Sequence, residues 1–133
     1  MNKAREITLA PEFISIFALE AFILADTILG GDRKNCILIM ATELFDNIIR
    51  HAQGLKGDIS FRMENGDDMG CRFFISYKSS NFGELVTCCS SSGLYYDEKL
   101  RLYRGLGLVM CRNLALEIGF EPGPETDRII VSL

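Results

Sequence analysis

The chain has 133 residues, a hydrophobic fraction of 48%, a charged fraction of 24% and a formal net charge of −4. That is enough for one domain with its own core and too little for two, and the composition is globular rather than disordered. An acidic balance with both signs spread along the chain argues against nucleic acid as the main partner, because phosphate binding demands a basic patch.

The first residues, MNKAREITLAPEF, carry charges without an apolar core, so no secretory leader is expected there. Arg5 to Leu9 predicts a short strand closed by Pro11. Phe13 to about Leu29 predicts a core helix: Glu20 and Asp26 interrupt the run, which suits no bilayer span. Gly30-Gly31 stops it. Asp32 reads as the N-cap of a long helix from about Arg33 to His51. Asp58 to Met63 then alternates, with Ile59, Phe61 and Met63 on one side. Glu64 to Asp68 is turn chemistry, and Met69 to Tyr77 is a second strand with Phe73 and Ile75 opposed to Phe74, so the two predict a hairpin.

Lys78 to Asn81 reads as a loop. Glu84 to Cys89 reads as either a strand or a lid, Ser90 to Gly93 as a spacer, and Tyr95 to Tyr103 as helical, with Leu94, Leu100 and Leu102 as apolar contacts. Arg104-Gly105-Leu106-Gly107-Leu108 opens a helix that runs to about Ile118 and ends at Gly119. Glu121-Pro122-Gly123-Pro124 is a turn, and Arg128 to Leu133 is a final strand. Strands and helices are segregated rather than alternating. The expected fold is therefore a two-layer α/β (α+β) sandwich, one domain over 1–133, with a mostly antiparallel mixed sheet covered on one face by helices.

The helix segment ATELFDNIIRHA carries the chemistry. Glu43, Asn47, Arg50 and His51 fall within an arc of roughly 100° of its circumference, while Leu38, Ala41, Leu44, Phe45, Ile48, Ile49 and Ala52 fill the opposite side. A carboxylate and an amide one turn apart suit a metal-bound phosphate or the activation of a hydroxyl. The same spacing also describes any wet helix face. The pair Gly105 and Gly107 at a helix start lets backbone approach a ligand where free N–H groups attract anions, with Arg104 adding positive charge; a tight packing turn is the plainer reading. The five cysteines include no CxxC, which disfavours zinc and fits a reduced, cytoplasmic protein.

Together, ATELFDNIIRHA and RGLGLVMCRNLALEIGF resemble the N-box and last glycine box of the GHKL (Bergerat-fold, histidine-kinase-like) ATPases, and most closely the bacterial anti-sigma-factor serine/threonine kinases. The resemblance implies an ATP-binding protein that phosphorylates a small antagonist protein in a partner-switching system, binds a sigma factor, and forms a homodimer. It implies that Glu43 orients or deprotonates the attacking hydroxyl, that Asn47 binds the magnesium of Mg-ATP, and that Gly105, Leu106 and Gly107 wrap the phosphates, with Arg50 or Arg104 neutralising charge.

One departure bears on the nucleotide. The Asp-x-Gly-x-Gly box of these ATPases, whose aspartate receives the adenine amine, is absent; its place reads FFISYKSSNFGEL. Asn81 offers an amide oxygen there, and Lys78, Ser79 or Ser80 stands where the aspartate would. Loss of a charged acceptor costs about 1.5–3 kcal/mol, roughly tenfold to a hundredfold in affinity. The alternative is a degenerate GHKL-fold module that regulates a protein partner without ATP.

Overall fold

The computed structural model describes residues 3–66, 70–84, 95–97, 102–104, 115 and 117–133. The elements in chain order are β1 (Lys3–Leu9), α1 (Ser15–Leu24), α2 (Gly31–His51), β2 (Ile59–Gly66), β3 (Gly70–Tyr77), β4 (Tyr95–Asp97), β5 (Leu102–Arg104), β6 (Glu117–Glu121) and β7 (Asp127–Ser132). Five strands form one open sheet in the order β1-β2-β3-β7-β6, and β4 pairs with β5 separately. Every described pairing is antiparallel, so no mixed character is seen among these strands.

The alternation of β2, β3 and β7 explains the layering. Ile59, Phe61 and Met63, then Cys71, Phe73, Ile75 and Tyr77, then Ile129 and Val131 are all buried on one face. Register brings them side by side: Phe61 faces Ile75, and Ile75 faces Ile129. Leu19 and Ile23 of α1 and Ile37, Met40, Ala41, Leu44, Phe45 and Ile48 of α2 join the same core. Phe22 meets Phe61 edge-on, with ring centroids 6.0 Å apart. The other face carries Arg62, Glu64 and Arg72 in ion pairs, and Phe74 lies beneath the guanidinium groups of Arg72 and Arg128. The result is an α+β two-layer sandwich with helices on one face.

Several boundaries differ from expectation. α1 ends at Leu24, not Leu29, because the Asp26 carboxylate accepts the N–H groups of Ile28 (2.9 Å) and Leu29 (3.0 Å), a local alternative to helix. Burial by itself pushes this carboxyl upward. Those two N–H groups and the Arg5 guanidinium at 3.3 Å outweigh it and hold Asp26 below its usual range. Gly30, not Asp32, caps α2; Asp32 lies in the first turn, where its charge suits the helix dipole.

Glu117 to Gly119 belong to β6 rather than to a helix end. Their apolar run is too short for periodicity to decide, and pairing of Ile118 with Val131 and Phe120 with Ile129 decides it. Tyr95–Asp97 and Leu102–Arg104 are strands, not helix. Glu64 to Gly66 extend β2, where a turn was expected. The expected segment from Leu85 to Gly93 and the expected helix after Arg104 lie outside the described residues, Ala115 and the β6 residues apart.

Candidate functional site

The chemistry-bearing end of α2 does not match a uniformly wet face. Asn47 is only 9% exposed, and its Nδ2 is buried without a hydrogen-bond partner. Glu43, one turn earlier, is half-buried. Arg50 donates to Asp46 at 2.8 Å and lies 5.3 Å from the Phe13 ring centroid. His51, the last residue of α2, is exposed and offers its backbone carbonyl to Asn81.

The stretch after α2 pins the stretch after β3. Lys56 N–H donates to the Lys78 carbonyl at 3.0 Å, and Ser80 N–H donates to the Gln53 carbonyl at 2.8 Å. Gly54 takes a left-handed conformation (φ 62°) beside Ser80, a turn that glycine makes without strain. Asn81 completes the clamp, donating to the His51 carbonyl (2.8 Å) and accepting the Gln53 N–H (2.7 Å). The Asn81 carboxamide thus has a structural task. Between these anchors Ser79 is buried, 7% exposed, with its Oγ unpartnered.

At this end of the sheet a cavity of ≈ 470 Å³ opens, bordered by Lys78, Ser79, Phe82, Phe120, Pro122 and Asp127 among others. Its size falls in the ordinary range for small-molecule sites. Phe82 packs against Tyr77 and Phe120, with centroids 5.8 Å and 6.4 Å apart. Asp127, at the start of β7 and opposite Tyr77 in the register, is 2% exposed. Its Oδ1 accepts the Gly123 N–H at 3.2 Å and the Lys78 ammonium at 3.4 Å. Lys78 also donates to the Gly123 carbonyl at 3.0 Å.

Asp127 was missing from the candidate residues. A signal existed: carrying the alternation of Ile129 and Val131 back by two positions places Asp127 on the core face, where a lone carboxylate is unusual. The expected strand began at Arg128, one residue too late to show it.

The structure brings Asn81 and the α2 C-terminus together. Arg104 closes β5, while Gly105, Leu106 and Gly107 lie outside the described residues. An amide nitrogen and oxygen exchange places by a flip, so the orphaned Asn47 position is also one at which a carbonyl oxygen can face a cation. Asn47 and Glu43, four residues apart on α2, are the oxygen-bearing side chains this helix would offer a magnesium ion, which takes most of its ligands from phosphate and water. No group of three or more His, Cys, Asp or Glu suited to a metal occurs among the described residues. No described helix is long and apolar enough to cross a membrane. Comparison with protein-family models finds no match, and comparison with curated proteins finds none.

Proposed function

We propose that this chain is an ATP-binding regulatory domain of GHKL type, acting as an anti-sigma-factor-like serine/threonine kinase on a small antagonist protein. The observation that carries the reading is Asn47, buried with its Nδ2 unpartnered, on the helix that also carries Glu43. A buried polar group that the fold leaves unused calls for an explanation, and a ligand is a direct one.

In this reading Asn47 holds magnesium and Glu43 takes the proton of the acceptor hydroxyl. Mg-ATP, when bound, supplies the phosphoryl group and neutralises its charge. Gly105, Leu106 and Gly107 lend backbone N–H groups to the phosphates, with Arg104 beside them. Arg50, already paired with Asp46, has the weakest claim to a phosphate role.

Calorimetric titration with ATP, with and without magnesium, tests the reading. Saturable binding that tightens with magnesium and is lost in Asn47→Ala supports it. No heat at millimolar ATP from folded protein overturns it. Glu43→Ala should then bind ATP but fail to phosphorylate the antagonist protein.

A second reading is a nucleotide-free module that acts through a protein partner. It is favoured by the Asn81 clamp, which spends the amide expected to face adenine on the backbone of His51 and Gln53.

A further inference from the structure

Helix α1 is apolar on both sides. Leu19 and Ile23 lie in the core, but Ile14 (68% exposed) and Phe17 (71%) stand in solvent, and Phe13 and Leu24 are about half exposed. Ala18, Ala21 and Ala25 are exposed as well. At about 100° per residue, Ile14, Phe17, Ala18, Ala21, Leu24 and Ala25 share an arc of roughly 120°, opposite the arc that meets the core. From Phe13 to Ala25 the single charged residue is Glu20, at the margin of that arc. A surface helix ordinarily turns a polar face outward, so this outer face has the composition of a contact surface.

Its size is that of an interface. At about 150–250 Å² for a large side chain, the exposed parts of Phe13, Ile14, Phe17 and Leu24, with the three alanines, come to on the order of 500 Å². Doubled across a two-fold axis this is about 1,000 Å², the level at which specific interfaces begin. A lipid surface is the poorer match. Helices that lie on membranes carry Lys and Arg beside the apolar face, and Ser15–Leu24 carries neither.

The order of sizes along the face selects the occupant. Phe17 and Ala18 lie four and three residues before Ala21, and Leu24 and Ala25 lie three and four after it. The spacing is symmetric about Ala21, while each large residue is mirrored by a small one. Two copies laid antiparallel about Ala21 set Phe17 of one against Ala25 of the other, and Leu24 against Ala18. That is the reciprocal contact of a two-fold interface, in which i meets j and j meets i. Alanine at the crossing point lets the helices approach closely.

We propose that α1 is a homodimer interface, formed by two copies of this chain packed antiparallel about Ala21. It holds whether or not ATP binds, since neither Asn47 nor Glu43 takes part.

The test is sedimentation equilibrium of the full chain from low to high micromolar concentration, with oxidative cross-linking of single-cysteine substitutions. Wild type should be a dimer at the upper end. Phe17→Glu places a charge in the contact twice per dimer and should weaken association at least a hundredfold. Its circular dichroism should match wild type, because Phe17 is in solvent. In the antiparallel pair residue 21 faces its own copy, while residue 14 lies about 20 Å from its own copy along the axis. Ala21→Cys should therefore cross-link at least tenfold faster than Ile14→Cys, with wild type as the control for the native cysteines.

A chain that stays monomeric throughout, or a dimer indifferent to Phe17→Glu, overturns the proposal. Equal cross-linking at positions 14 and 21 also overturns it, since the size matching then plays no part. A monomer that binds an amphipathic helical peptide through α1 gives the face to a different partner and overturns it too. Should Phe17→Glu fail to fold, the cross-linking comparison decides.

Discussion

Asn81 donates to the His51 carbonyl at 2.8 Å and so fastens the last residue of α2 to the segment that leaves β3. The same carboxamide accepts the Gln53 N–H at 2.7 Å, and one short side chain thereby sets the spacing between the helix end and the cavity wall. Asn81→Ala removes both bonds, together with the longer one from Nδ2 to Glu84 (3.4 Å). At about 0.5–1.5 kcal/mol each, the loss should be about 1–3 kcal/mol. Urea denaturation should show a lower midpoint at unchanged slope. A midpoint equal to wild type in Asn81→Ala would show that the clamp contributes nothing.

Asn47 should behave in the opposite way. Its buried Nδ2 makes no hydrogen bond, so Asn47→Leu removes an unpaired donor and should cost less than the truncation of a core side chain. Its neighbour Ile48, fully buried, should lose about 2–5 kcal/mol on conversion to alanine. Thermal melts of the two variants side by side check this; a large loss in Asn47→Leu would mean that the amide is structurally engaged.

Asp26 makes stability depend on acid. Its folded-state pKa lies below its unfolded value, so its contribution is complete above the ordinary carboxylate range and fades as pH falls through the lowered value. Wild type should lose stability below about pH 4 more steeply than Asp26→Asn. Stability curves from neutral to strongly acidic pH measure the difference, and parallel curves would count against the Arg5–Asp26 linkage.

Cysteine reactivity should separate two positions. Burial pushes the Cys71 thiol up to about 11, although the Arg33 charge opposes this, while Cys36 is only half-buried. Alkylation of native protein at mildly alkaline pH should label Cys36 well before Cys71, because the thiolate is the reactive form. Peptide mapping by mass spectrometry reads the order, and equal labelling would show that Cys71 opens readily to solvent.

The β2–β3 hairpin was legible from Ile59, Phe61 and Met63 because period-2 alternation is a local signal that burial on one face enforces. The long helix was legible for the same kind of reason. β6 was not: Glu117 to Glu121 is short, apolar at its centre and preceded by a helix-like run, and only its distant partner Val131 identifies it. The end of α1 was missed because Gly30-Gly31 looked like the stop while the Asp26 side chain had already captured two backbone donors. In the candidate site, spacing marks Asn47, but spacing does not show that its side chain is buried. For Asp127 the alternation of Ile129 and Val131 gives the core-facing position, while its partner Lys78 is remote in sequence and shows only in the fold.

The sheet order also has a kinetic consequence. β7 lies between β3 and β6, so the chain leaves the sheet at Tyr77, returns at its far edge as β6, and fills the gap last. The closing strand can dock only after a long excursion has been gathered in, and non-local pairing of this kind slows folding. Lengthening that excursion is thermodynamically cheap, about 0.6 kcal/mol for each doubling. The sheet order therefore weighs on the rate at which β7 docks more than on the final stability of the core.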